Sequence, residues 1–370
     1  MRRVFFRTQI TALIVALMVS AGCDKVRELI DSDANEGTTT SKSNSRSTST
    51  PPTHTAARTG DTISVASFNI QVFGQSKLKK TDAMEVLAQI VRRFDVVAIQ
   101  EIRSKKDNVI PDFVKLINSD GSQYHYVVGE RLGRTVSKEQ YAFIYDTTCL
   151  EVVPGSTYTV PDPGDKLHRE PLATSFAARG TEQPFTFTLV NIHTDPDETK
   201  QELDALDDAF RYVQQKNPSE DDVIILGDLN VDERHLGELG QLPNITWVVS
   251  GVKTNTRLTK SYDNIVFDRA ATNEYTGTWG VLNLMDTFDL SQKEALRVSD
   301  HMPVWAVFSS TEGALSEWLA SLIEKPVLRI ASSFEPCGRE GEAPAEPRAS
   351  GRFSARPEPR PPEDAGLDSE

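Results

Sequence analysis

The feature that most limits the fold of this chain is a series of short runs that are apolar on both faces. Residues 62–71, 94–102, 141–146, 185–194, 222–230, 262–268 and 300–308 are rich in β-branched and aromatic side chains, which predicts strands. A strand with one wet face alternates polar and apolar residues. Several of these runs have no polar face, so they must lie buried between layers. Two segments have helical spacing instead: Met84, Leu87, Ile90 and Val91 behind Thr81, and Leu203, Leu206, Phe210 and Val213 behind Thr199, with each threonine as the expected N-cap. Strands flanked by such helices predict an α/β sandwich spanning residues 61–309.

The flanks differ in composition. "MRRVFFRTQITALIVALMVSAGC" places three arginines before a short apolar run and then small residues, the order of a secretory signal and too short for a stable span. "VSAGC" resembles a bacterial lipobox, which implies a signal peptide over 1–23 and lipidation of Cys23; a plain signal peptide is the alternative. Residues 24–60 form a tether rich in Ser and Thr, with too few large apolar groups to offset their ordering entropy. "GALSEWLASLIEKPVL", within 310–334, has the pattern of a short helix, and 335–370 reads as a disordered tail. The chain is therefore expected to be exported and anchored to a membrane of the cell envelope through Cys23, facing the periplasm or the exterior, as a monomer. Cys149 and Cys337 are too few for a disulfide framework, so the core must hold the fold.

Charge narrows the function. Most of the net charge of -14 falls within 61–309. An acidic body does not hold polyanions by its average field, so a phosphate substrate needs a local basic spot or a metal.

Polar residues gather where the strands end. Asn69 and Glu101 lie at or near the ends of the first two runs, and His193 closes a later one. Asp228 and Asn230 lie in "ILGDLN", Asp263 opens its run, and Asp300 with His301 opens the last. Any one of these is an ordinary turn residue more often than a catalyst. Together they outnumber what turns require.

The ordered segments "SFNIQVFG", "AIQEIR", "SKEQYAFIYD", "REPLATSF", "VNIHT", "ILGDLN", "SYDNIVF" and "VSDHMPV" resemble the endonuclease/exonuclease/phosphatase superfamily, and most closely its deoxyribonuclease I-like branch. The resemblance implies a four-layer α/β/β/α sandwich. It also implies site roles: Glu101, Asn69, Asp300 and Asp228 around Mg²⁺ or Mn²⁺, with Ca²⁺ left open; His301 as general base oriented by Asp263; His193 as acid or phosphate donor oriented by Glu139. Asn230, Arg103 and Arg169 would contact substrate phosphate. Oxygen ligands of this kind suit Mg²⁺ or Mn²⁺ better than zinc, and the residue types match what phosphodiester hydrolysis needs.

The activity expected is that of an endonuclease that cuts DNA to 5′-phosphate ends. Two alternatives stand beside it: a phosphodiesterase or phosphatase acting on lipid head groups or small esters, and a non-catalytic surface binding lipoprotein. One departure from the branch bears on the substrate, since Ser137 stands where a DNA-contacting tyrosine is expected.

Overall fold

The computed structural model describes residues 60–134 and 138–313. The signal peptide with Cys23, the tether up to residue 59, Ser137, the helix expected in "GALSEWLASLIEKPVL" and the C-terminal tail lie outside the described residues.

Two sheets stack face to face. The first has the order β12-β13-β1-β2-β4-β3, built from β1 (Thr62–Phe73), β2 (Val96–Ile102), β3 (Tyr124–Val128), β4 (Gln140–Asp146), β12 (Tyr275–Val281) and β13 (Val304–Ser309). The second has the order β10-β11-β9-β8-β7-β5, with β5 (Leu150–Val152), β7 (Leu172–Ala178), β8 (Thr186–His193), β9 (Val223–Asp228), β10 (Ile245–Trp247) and β11 (Asp263–Asp268); β6 (Tyr158–Thr159) pairs with β7. The helices are α1 (Gln75–Leu78), α2 (Thr81–Val91), α3 (Val109–Ile117), α4 (Thr199–Leu203), α5 (Leu206–Lys216), α6 (Leu284–Phe288) and α7 (Gln292–Val298).

Three apolar layers hold this arrangement, as a four-layer α/β/β/α sandwich requires. Leu87, Ile90, Phe113 and Ala295 on the helices pack with Ile99 and Trp305 on the first sheet. Phe143, Phe176, Phe187, Phe267 and Phe308 fill the space between the sheets, and Leu206, Phe210 and Val213 of α5 cover the second sheet. Strand β9 shows why its run is apolar throughout. Successive side chains point to opposite faces, so Ile224 and Leu226 enter the layer between sheets while Val223 and Ile225 meet the helices.

All seven expected strands form, and the departures are informative. The last begins at Val304 and not at 300, because Pro303 has no N–H to give a ladder; Asp300 and His301 therefore lie in the preceding loop. Thr81 and Thr199 are not N-caps. Each is the first helical residue, behind Lys80 and Glu198, and neither helix has a side-chain cap. The strands not foreseen are mostly edges: β3 and β12 flank the first sheet, β5 and β10 the second. An edge strand with a wet side lacks the two-faced apolar signature.

Candidate active site

Strand register assembles the centre. Along β8 and β9, which are parallel, His193 is level with Asp228, and along β9 and β11, which are antiparallel, Asp228 is level with Asp263. Gly227 lets this happen. A Cβ there would lie 1.8 Å from the Ile192 carbonyl oxygen, so no other residue fits between these strands. Beyond Asp228, Asn230 adopts φ 54 and anchors the turn: its N–H donates to Asp228 Oδ1 (3.0 Å) and its Nδ2 to the Thr194 carbonyl (2.8 Å). One amide hydrogen of Asn230 remains available. "GDLN" thus delivers side chains to a site.

Two imidazole–carboxylate pairs converge on Asp228. His301 Nδ1 meets Asp263 Oδ2 at 2.9 Å, and His193 Nδ1 meets Glu139 Oε2 at 2.9 Å. The Nε2 atoms of the two rings lie 3.4 and 3.5 Å from the same oxygen, Asp228 Oδ2. Burial draws the His301 pKa down, but the charges of Asp263 and Asp228 outweigh it and raise it to about 10. His193 is also raised above its usual value: burial opposes the shift, the hydrogen bond to Glu139 and the charge of Asp228 drive it, and Arg169 restrains it. Burial would push Glu139 up, yet His193, Arg169 and Arg103 hold its carboxyl down to about 2.

Beside them lies an acid and amide cluster. Asn69 Nδ2 donates to Asp228 Oδ2 (2.9 Å) and, more weakly, to Glu101 Oε1 (3.2 Å). Gln71 Nε2 donates to Asp300 Oδ2 (2.8 Å) and the Val72 N–H to Glu101 Oε2 (2.7 Å). Irregular pairing between β1 and β2 places these groups, and both Glu101 (φ 60) and Val72 (φ 50) take left-handed conformations that cost energy outside glycine. Lys77 is buried beneath, donating to the carbonyls of Ile70 and Val298; burial, then Lys80, lower its pKa to about 8 against the pull of Asp300 and Glu101.

Two atoms test whether a cation fits here. Asn69 Oδ1 and Asp300 Oδ1 are buried and have no hydrogen-bond partner among the described residues. Orphan oxygens beside Glu101 are what a hard divalent ion would satisfy. Asp228, Asp263 and His301 also present potential ligand atoms within 4.8 Å of one another. That group is a poorer ion site, because His301 Nδ1 is engaged by Asp263 and its ring holds a proton.

The arginines differ from each other. Arg103 has a side chain 32% exposed and donates to Glu139 Oε1 through Nε (3.0 Å) and Nη2 (2.7 Å), and its Nε also lies 3.3 Å from Glu101 Oε2, so part of the guanidinium stays accessible. Arg169, expected at substrate phosphate, is only 4% exposed, and its Nε and Nη2 donate to the His193 carbonyl at 3.2 and 3.0 Å. Its placement is that of a brace for His193, since the guanidinium is spent on the protein.

Several residues in the site carried no individual signal in the sequence. Tyr141 accepts from the His193 N–H at 2.9 Å; Thr254 donates to Asp263 Oδ2 at 2.6 Å; Ser299 donates to the Asn69 carbonyl at 2.7 Å and accepts from the His301 N–H at 3.1 Å. Between the sheets, Gln100 Nε2 donates to Asn191 Oδ1 at 2.7 Å. Tyr141, Ser299, Gln100 and Asn191 lie inside quoted segments, so their position in a motif was the available signal.

The chain is similar to known proteins. The model of the Endonuclease/Exonuclease/phosphatase family matches residues 66–301. Deoxyribonuclease gamma of Rattus norvegicus is 31% identical over 264 residues, covering 65% of this chain and 83% of the rat protein. Deoxyribonuclease-1 of Homo sapiens is 31% identical over 257 residues, covering 65% of this chain and 90% of the human protein. Among solved structures, the human Nocturnin catalytic domain aligns with a TM-score of 0.48 at 15% identity, covering 68% of this chain and 95% of that domain.

Proposed function

This chain belongs to the endonuclease/exonuclease/phosphatase family and is a hydrolytic phosphodiesterase, and from that premise we propose that it is a DNA endonuclease using Mg²⁺ or Mn²⁺ and leaving 5′-phosphate ends. One observation carries the proposal: two imidazole–carboxylate pairs converge on Asp228 beside an acid and amide cluster whose orphan oxygens suit a divalent ion. The likeness to deoxyribonucleases supports DNA as the substrate, with Arg103 as the local basic spot on an acidic body. Full occupation of the site is what sets the non-catalytic alternative aside.

A divalent ion, held by Glu101, Asn69 Oδ1 and Asp300, would supply positive charge for the phosphoryl oxygens when bound. The chain's own groups do the rest. In our reading His193 takes a proton from the attacking water, whose oxygen bonds to phosphorus as the P–O3′ bond breaks. His301 gives its proton to the departing 3′ oxygen, and solvent resets both rings. This reverses the roles implied by the family resemblance, because Glu139 also pairs with Arg103 and Arg169 whereas Asp263 pairs with His301, which leaves His193 the less strongly backed ring. Asp228 keeps the two Nε2 atoms near one point, and the second amide hydrogen of Asn230 is free for a non-bridging oxygen.

A plasmid-nicking assay tests the proposal, run beside sphingomyelin and phosphoinositide hydrolysis. EDTA should abolish cutting, Mg²⁺ or Mn²⁺ should restore it, and the products should be ligatable without added kinase. Undiminished cutting in EDTA would rule out the metal reading. An intact plasmid alongside a hydrolysed lipid head group would install the lipid phosphodiesterase alternative. We further propose that the protein is exported and anchored through Cys23; Cys23→Ser should then move it out of the membrane fraction, and wild-type protein found soluble after export would overturn the anchor.

A further inference from the structure

A second group of carboxylates lies at the other end of β9. Asp222 precedes the strand and Asp228 ends it, which separates the two positions by about 20 Å at the usual rise per residue. Glu274 comes just before β12 and Glu312 soon after β13, so the group joins the second sheet to the first. Carboxylate oxygens of Asp222, Glu274 and Glu312 lie within 4.8 Å of one another. Asp222 and Glu274 are each 1% exposed.

What sets this group apart is how little compensates its charge. Asp222 Oδ1 and Glu274 Oε2 are buried with no hydrogen-bond partner among the described residues. Few other contacts offset this: the main-chain N–H groups of Gly313 and Thr186 donate to Glu274 Oε1 (2.6 Å) and Glu312 Oε2 (3.3 Å), and the Thr272 hydroxyl interacts with the Asp222 carboxyl. Among the described residues, no Lys, Arg or His forms an ion pair with any of these acids. Buried carboxylates left so are costly unless a proton or a cation joins them. Without a cation, burial foremost, opposed by the Thr272 hydroxyl and reinforced by Glu274 and Glu312, pushes the Asp222 carboxyl up to about 9.

We propose that Asp222, Glu274 and Glu312 bind a hard divalent cation, of the Ca²⁺, Mg²⁺ or Mn²⁺ class, that clamps the two sheets together at the end of the sandwich remote from the catalytic groups. Three carboxylates with no nitrogen or sulfur donor select that class over zinc or copper. Partly exposed Glu312 gives the ion a route in and room for water ligands. The clamp is independent of the catalytic reading, since none of its residues touches the histidines or the Glu101 cluster.

The test uses purified full-length protein carrying Glu101→Gln, which weakens the catalytic ion site, with and without Asp222→Asn and Glu274→Gln. Each is stripped with EDTA and then titrated calorimetrically with Ca²⁺, Mg²⁺ and Mn²⁺ separately. The amide pair should remove one bound ion per chain and the rise in Tm that the ion produces, while raising the Tm of the stripped protein because Glu274→Gln removes a buried charge. Glu312→Gln, a milder change, should weaken the affinity roughly tenfold with the fold intact. An ion count that is the same with and without the amide pair overturns the clamp. So does a Glu101→Gln protein whose Tm is unmoved by roughly 10 mM of every ion. With Glu101 restored, Asp222→Asn/Glu274→Gln should still cut plasmid, which separates failure of the clamp from failure of the nuclease reading.

Discussion

The two imidazole–carboxylate pairs have nearly the same geometry and different electrostatic surroundings. Each ring is held through Nδ1 at 2.9 Å and aims Nε2 at the same oxygen of Asp228. Glu139, however, also faces Arg103 and Arg169, so two arginines compete with His193 for its negative charge. Among the described residues, the Asp263 carboxylate bonds His301 and the Thr254 hydroxyl, with Asp228 adding negative charge nearby. Both imidazole pKa values are raised, His301 to about 10, and an arginine opposes the shift only at His193. What surrounds the carboxylate decides which ring is the better donor, and the strand pattern alone does not reveal it.

The largest expected effect separates the rings by leaving group. His301→Ala and His193→Ala should each lower kcat on plasmid DNA by roughly 10² to 10⁴, as expected for loss of a general acid or base. An activated diester such as bis(p-nitrophenyl) phosphate needs no proton on its leaving group. His301→Ala should recover most of its loss on that substrate, whereas His193→Ala should not. The opposite pattern would restore His301 as the base and show that a bound cation, or the substrate itself, overrides the electrostatics of the free protein.

A smaller effect concerns the arginines, which both face Glu139 on the His193 side, Arg103 also lying 3.3 Å from Glu101 Oε2. Arg103→Ala should weaken plasmid cutting about tenfold more than cutting of the small diester, and should flatten the loss of activity with rising salt, because a phosphate beyond the scissile one exists only on a polymer. Arg169→Ala should hurt both substrates alike and lower Tm, since it frees the His193 carbonyl and removes a cation from buried Glu139. Equal substrate discrimination by the two variants would put Arg169 back at the phosphate, where the resemblance first placed it.

Much of this site was legible in the sequence because register does the assembling. Asp228 and Asp263 end and begin adjacent strands, so a strand reading already makes them neighbours. The sandwich was equally plain from runs apolar on both faces, each feeding two layers as β9 does. Legibility failed where partners come from non-local packing. Gln71 reaches Asp300 because β1 and β2 fall out of register between Asn69 and Phe73, a distortion that leaves no mark in composition. Arg169 appeared as a phosphate contact because its motif says nothing of burial. The cluster at Asp222, Glu274 and Glu312 joins positions far apart in the chain, each an unremarkable acid beside a strand.

The smallest expected effect is on stability, and its sign differs between the pairs. Glu139 has its folded pKa lowered from 4.5 to about 2, so its contribution is fully present above about pH 4.5 and is lost as pH falls toward 2. His301 has its folded pKa raised from 6.5 to about 10, so its contribution is full below about pH 6.5 and is lost as pH rises toward 10. In EDTA, urea denaturation of Glu139→Gln should therefore match wild type most closely at about pH 2 to 3 and fall behind it above pH 4.5, by roughly 3 kcal/mol at most. His301→Gln should show the mirror image, its deficit present at pH 6 and shrinking toward pH 10. Because the two windows do not overlap, each variant controls for the other. A deficit for Glu139→Gln that is the same at pH 3 and pH 6 would mean that packing, and not the charges of Arg103, Arg169 and His193, accounts for its effect, and the electrostatic difference between the two pairs would lose its support.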